Sequence, residues 1–162
     1  PKEARIILDE NHIQGAVGAS VRMGLEYDGM LVAVMLFKDK GDGEWELNRY
    51  ATSKTVVGGF SKLLKNFERS YKPSKIVSFA DLRWSVGDVY LKNGFIHAYN
   101  TPPDYFYIKN NRRIRKNNFR RAKMEVMENF DFDPEESEFE NTERNGFFRI
   151  YDCGLMKFVK EL

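Results

Sequence analysis

The chain has 162 residues, 42% of them hydrophobic and 14% aromatic, with a net charge of +2. That is enough for one folded domain with a small appendage, it excludes a disordered chain, and no global field commits it to a polyanion. A single cysteine, Cys153, excludes an internal disulfide or a thiolate zinc site and fits a reducing cytoplasm, while two histidines, His12 and His97, are too few for a histidine-rich metal centre, so no metal is expected.

No apolar run approaches the roughly 20 residues of a membrane span, and no signal peptide is visible. The chain starts at Pro1 without an initiator methionine, which suggests a piece excised from something longer. Residues 2–11 predict a short helix with Ile6, Ile7 and Ala4 inward, stopped by His12-Ile13-Gln14-Gly15. Val21 to Tyr27 and Met30 to Phe37 are β-prone runs joined by Asp28-Gly29, a strong hairpin signal. Trp45 to Tyr50 reads as a strand with Trp45, Leu47 and Arg49 on one face and Glu46, Asn48 and Tyr50 on the other. Arg49 is then either a cofactor-facing residue or half of a buried ion pair.

Val56-Val57-Gly58-Gly59 follows, where a strand hands over to a helix. From Phe60 the apolar residues Phe60, Leu63, Leu64 and Phe67 fall on one helix face, with Lys62, Lys65, Asn66 and Arg69 opposite. Such a turn can present backbone N–H groups to a phosphate at the positive end of the helix dipole, or its glycines can simply let the helix pack close to the sheet. Lys75 to Phe79 predicts a central parallel strand, which with the Trp45–Tyr50 strand and the helix from Phe60 makes a right-handed strand–helix–strand crossover, and Ser85 to Asn93 predicts a second helix ended by Gly94. Asp81, Arg83 and Ser85 sit just beyond the carboxyl end of that strand, where ligands of open α/β sheets bind. There Asp81 can act as a base or orient an amine, or else the group caps the helix. Phe95 to Tyr99 and Asp104 to Ile108 are the next strands, with Tyr105 and Tyr107 either stacking on bases or lying in the core.

Composition then changes abruptly. Residues 109–123 hold eight basic residues and no acid: Lys109, Arg112, Arg113, Arg115, Lys116, Arg120, Arg121 and Lys123. Residues 125–143 hold nine acids and no base. The basic stretch, with Asn110, Asn111, Asn117 and Asn118 interleaved, suits phosphate contacts, whether as a nucleic-acid surface or as a solvated helix neutralised by the acids behind it. Phe147 to Tyr151 and Met156 to Val159, around Asp152-Cys153-Gly154, read as a C-terminal hairpin. The expected division is an α/β domain over 1–108 and a basic/acidic helical extension with that hairpin over 109–162.

The order helix, hairpin, strand, glycine turn with helix, strand, helix, strand resembles the GNAT superfamily of acyl-CoA-dependent N-acyltransferases, with a mixed central sheet flanked by helices. Asp88-Val89-Tyr90-Leu91-Lys92-Asn93-Gly94-Phe95 is similar to the superfamily's helix-to-strand signature. The resemblance implies that Tyr90 lies near the thioester and that Val57, Gly58 and Gly59, with Lys62 beside them, grip the pyrophosphate of coenzyme A. Thr55 and Phe60 depart from the superfamily's phosphate loop, and Phe60 is expected to crowd it. The superfamily's first strand has no room before Lys2.

A wider string of motifs resembles the C-terminal domain of phage homing endonucleases whose nuclease domain is related to very-short-patch repair enzymes. It comprises Asn11 to Gly15, Val56 to Leu64, Ala80 to Ser85, Pro103 to Tyr107 and Arg149 to Gly154. A more distant resemblance is to Mom-type phage DNA-modifying proteins. These resemblances imply a phage protein in the host cytoplasm that engages DNA or RNA, without a membrane and with no cofactor, beside an upstream nuclease domain. The alternative is an acyltransferase using acyl-CoA on a nucleobase or protein amine. Catalysis would then fall to Asp81, Arg83, Arg49 and Tyr90, and nucleic-acid binding to Arg112, Arg113, Arg115, Lys116, Arg120, Arg121, Lys123, Tyr105 and Tyr107.

Overall fold

The structure, a computed structural model, describes residues 2–162. In chain order it contains α1 (Lys2–Asn11), β1 (Val21–Tyr27), β2 (Met30–Gly41), β3 (Glu44–Thr52), α2 (Gly59–Tyr71), β4 (Lys75–Asp81), α3 (Asp88–Leu91) and β5 (Ile96–Asn100). There follow β6 (Tyr105–Lys109), β7 (Arg112–Arg115), a 3-10 turn (Lys116–Phe119), α4 (Arg121–Met124), α5 (Glu138–Arg144), β8 (Phe148–Tyr151) and β9 (Leu155–Glu161). Two units result: one runs to Thr101 and resumes at Leu155–Leu162, and the other is Pro102–Gly154.

The first unit is an α/β layer structure around a six-stranded sheet of order β1-β2-β3-β4-β9-β5. Only β3 and β4 pair in parallel, as the crossover through α2 requires. β2 is buried on both faces, which is why Val32 to Phe37 is a continuous apolar run. Its Ala33, Met35 and Phe37 meet Phe60, Leu63, Leu64 and Phe67 of α2. Its Val34 and Leu36 meet Ile7 and Leu8 of α1 on the other face. The expected inward pair on α1 was Ile6 and Ile7, but Ile6 is exposed and Leu8 replaces it. Ala4, Ile7 and Leu8 share one stripe at i, i+3 and i+4, and Ile6 lies about 100° away from Ile7 around the helix.

The helix expected over Ser85 to Asn93 is one turn, Asp88–Leu91. Gly87 precedes it at φ 81, a left-handed conformation that a helix cannot run through. A Cβ at Gly87 would also overlap the Phe158 ring.

The second unit has its own three-stranded antiparallel sheet, order β7-β6-β8. The first half of the basic stretch is therefore a strand hairpin and not the expected helical segment, and helix is confined to Lys116–Phe119 and α4. Lys109 pairs with Arg112 across Asn110 and Asn111, which stand at φ 50 and 59. Two consecutive left-handed residues make a tight hairpin turn, a role asparagine fills nearly as well as glycine. The expected C-terminal hairpin is also replaced. β8 pairs with β6, whereas β9 lies between β4 and β5 in the six-stranded sheet. Between them Asp152 does not close a turn back on the chain. Its Oδ1 accepts the amides of Asp104 and Gly154.

The α2 layer hinges on Phe67, fully buried, stacked on Phe37 at 3.5 Å and meeting Trp45 edge-on at 5.1 Å. Phe67→Ala is expected to lower the unfolding free energy by about 3–5 kcal/mol, measured by urea denaturation. A loss below about 1 kcal/mol would show that the layer does not depend on that ring.

Candidate functional site

β3 and β4 pair from Glu44–Lys75 to Leu47–Ser78 and no further, although β3 continues to Thr52 and β4 to Asp81. On its other side β3 shifts register against β2: Leu47 faces Phe37, and Arg49 faces Leu36. Asn48 is the extra residue of a β-bulge. The bulge reverses the strand's alternation, so Leu47 and Tyr50 pack toward α2 while Ala51 packs toward α1. Arg49, opposite Leu36, leaves the face of Trp45 and Leu47 where alternation alone had put it.

Where the two strands part, a cleft of about 440 Å³ opens. Its walls include Glu46, Asn48, Arg49, Asp81 and Tyr90, with His12 at the rim. Arg49 donates from Nε to the Gly15 carbonyl (3.1 Å) and from Nη1 to the Asn48 carbonyl (2.7 Å), pinning the segment after α1 to the bulge. Its role is thereby that of a clamp. Burial first, and the Arg49 charge second, hold the His12 pKa below its ordinary 6.5. His12 Nδ1 accepts the Gln14 amide at 3.2 Å, so the neutral ring carries its proton on Nε2. The Oδ1 of Asn48 is buried with no hydrogen-bond partner among the described residues, an open acceptor on the bulge itself.

Tyr90 stands on α3, stacked on Phe158 at 4.7 Å and edge-on to Phe60 and Phe95. Ser78 Oγ lies 3.1 Å from the Tyr90 hydroxyl and 2.9 Å from the Leu47 carbonyl. Burial raises the Tyr90 pKa against the opposing effect of Ser78, which keeps the phenol protonated at neutral pH.

Gly58 is the N-cap of α2, at φ 69, with open space where a Cβ would stand. The Gly59 amide is used within the turn, bonding the Val56 carbonyl at 3.2 Å. The Phe60 amide donates to the Tyr50 hydroxyl, whose pKa burial raises. Gly59 admits this approach, since a Cβ there would stand 3.0 Å from that hydroxyl. Val57 is 97% exposed. The amides of Val57 and Gly58 have no acceptor among the described residues. Phe60 does not crowd the turn as expected; its ring is turned into the core against Tyr50 and Tyr90. Val57, Gly58, Gly59 and the exposed Lys62 do not line the cleft, and Phe60 alone joins the turn to it.

Asp81 is gripped by Arg83 through Nε at 3.0 Å and Nη2 at 2.6 Å, and its Oδ1 also accepts the Arg83 amide. The pair closes the turn after β4. Neither Asp81 nor Ser85 caps α3, because Gly87 holds that position and Ser85 Oγ accepts the Gly87 amide. Sequence reasoning passed over Glu46 and Ser78. A hydroxyl inside the apolar run Lys75 to Ala80 was the available signal, since a buried polar group implies a partner.

In the second unit Tyr105 and Tyr107 do not face outward for stacking. Tyr107 is fully buried against Phe119, and both hydroxyls donate to Glu138 at 2.8 and 2.7 Å. Burial and that carboxylate push the Tyr105 pKa upward. Of the basic stretch, Lys116 pairs with Asp104 and Arg121 with Glu125. Among the described residues no carboxylate pairs with Arg112, Arg113 or Arg115. None of the described residues form a cluster of three or more His, Cys, Asp or Glu suited to a metal, and no described helix is long and apolar enough to cross a membrane.

No protein-family model and no curated protein sequence matches the chain. Solved structures do resemble it. An IAA acetyltransferase from Bacillus cereus ATCC 14579 is 17% identical over the whole chain and 92% of its own, with a TM-score of 0.56. The ribosomal-protein-S18-alanine N-acetyltransferase from Escherichia coli is 10% identical over 99% of the chain and 86% of its own, with a TM-score of 0.60. A GNAT family acetyltransferase from Elizabethkingia anophelis with acetyl-CoA bound is 13% identical over 87% of the chain and 75% of its own, with a TM-score of 0.50. The chain has a GNAT-like N-acetyltransferase fold. The expected kinship with phage homing endonucleases and Mom-type proteins has no counterpart among these three.

His12 supplies a pH test. Its folded pKa is depressed, so its contribution to stability is present above the unfolded value of 6.5 and is lost as pH falls through the lower folded one. Arg49→Gln is expected to move the His12 midpoint upward in an NMR titration. An unmoved midpoint would remove the Arg49 charge from the account.

Proposed function

We propose that the cleft is that of an acyl-CoA-dependent N-acyltransferase. The observation that carries this reading is the end of β3–β4 pairing at Leu47–Ser78, beside the Asn48 bulge. Two strand edges diverge there and leave backbone donors and acceptors that an extended, amide-bearing arm such as pantetheine can satisfy as an added strand would. The turn at Gly58 adds the amides of Val57 and Gly58 at the N-terminus of a 13-residue helix, a setting for pyrophosphate, with the Lys62 ammonium on the same turn. The fold likeness to acetyltransferases supports the same reading.

Acyl-CoA supplies an activated acyl group as a thioester. The amine nitrogen bonds to the acyl carbon as the carbon–sulfur bond breaks, so one proton must leave nitrogen and one must reach sulfur. Tyr90, kept neutral by burial, is the donor toward sulfur. Glu46, on the cleft wall and paired with Lys40 at 3.1 Å, is the carboxylate that takes the amine's proton. Asp81, engaged by Arg83, shapes the wall rather than serving as base.

Calorimetric titration of the chain with acetyl-CoA is expected to give a Kd on the order of micromolar. No binding would reject the reading. Tyr90→Phe is expected to leave that affinity unchanged and to lower kcat roughly 100-fold or more, followed as thiol release with a panel of primary amines. An unchanged kcat would remove Tyr90 as the proton donor.

A further inference from the structure

We infer that the outer face of the second unit's sheet binds single-stranded nucleic acid. Cross-strand partners in a sheet share a face. Phe106 is opposite Arg115 on one side and Ile150 on the other, and Ile108 is opposite Arg113 and Phe148. These six side chains therefore form one surface. The reverse face carries Tyr105, Tyr107 and Ile114, which pack into the unit's core with Phe119 and Met124. Among the described residues the outer face is left open: Phe148 is 62% exposed and Ile150 47%. Adjacent apolar side chains left this open on a sheet mark a contact surface.

The chemistry of the surface selects the partner. The Arg113 guanidinium lies 3.5 Å from the Phe106 ring centre, and the exposed Phe148 ring stands on the same face. Unpaired bases stack on such planes whatever their sequence. Arg113 and Arg115, both on this face, are exposed, and no acid of the described residues pairs with them. The charges of the acidic run are used elsewhere: Glu138 accepts from the two tyrosines and pairs with Arg149, Asp131 pairs with Arg144, and Glu140 accepts the Ser137 amide. The face thus offers stacking planes rimmed by cations, which suits bases flanked by phosphates and not a neutral or basic protein. A duplex hides its bases, so the preference is for single strands. The inference does not rest on the acyltransferase reading, because none of these residues lines the cleft.

The test is fluorescence anisotropy of the whole chain with labelled oligo(dT), oligo(U) and a duplex of equal length, without acetyl-CoA, at about 50 and about 200 mM salt. The expected result is binding to at least one single strand, at least tenfold tighter than to duplex. Phe148→Ala removes a mostly exposed ring and is expected to weaken binding roughly 5- to 100-fold with little change in melting temperature. Replacing Arg113 and Arg115 by glutamine is expected to reduce the log–log salt slope by about 1.4. Equal affinity for duplex and single strand, undiminished binding by Phe148→Ala, competition by polyglutamate as strong as by oligo(dT), or no binding would each overturn the inference.

Discussion

One inserted residue, Asn48, governs the architecture of the first unit. A parallel strand pair is held by evenly spaced hydrogen bonds, and an extra residue in one strand breaks that spacing locally. Past Leu47 and Ser78 the two strands separate, and the sheet keeps its continuity through β2 on one side and β9 on the other. The same insertion puts Arg49 on the face away from Leu47, where it fastens the segment after α1 to the strand. Cleft, clamp and the buried open acceptor of Asn48 are consequences of one change in register.

The rigidity around that opening comes from aromatic packing. Tyr50, Phe60, Tyr90, Phe95 and Phe158 form a chain of ring contacts from the N-terminus of α2 to the edge of the sheet. Two phenols lie in this chain, and each has a specific partner: Tyr50 accepts the Phe60 amide and Tyr90 meets Ser78. Buried hydroxyls without partners would cost about 1–3 kcal/mol each, so these contacts fix ring positions as well as relieve that cost. The phenol proposed as proton donor, held in such a frame, loses little freedom on acting.

The second unit solves a different problem with few apolar residues. Its core is Tyr107, Phe119 and Met124, ringed by half-buried aromatics, and Glu138 gathers Tyr105, Tyr107 and Arg149 at its margin. Ser137 and Glu140 form a reciprocal capping box that starts α5. Acids and bases are segregated in sequence because they serve different surfaces: most of the acids tie the unit together, while the arginines of β7 face solvent.

The sequence determined the local elements whose signals are short-range. The helix periodicity of α2, the Asp28-Gly29 hairpin, the apolar runs of β2 and β4 and the parallel crossover were all legible, and with them the α/β class. Tyr90, Asp81 and Arg49, named from sequence as candidates, lie on the cleft wall, but the contacts they make there were not legible. Tertiary structure decided the rest. Alternation along β3 could not reveal a bulge that exists only in register with β2. The Asn110-Asn111 turn was hidden because asparagine in a basic stretch reads as a polar contact residue until its left-handed backbone is seen. β8 and β9 resembled a hairpin because both are short and amphipathic, and nothing local states which sheet each will join. Strand pairing is a contest between distant partners for the same backbone groups, and its outcome belongs to the whole fold.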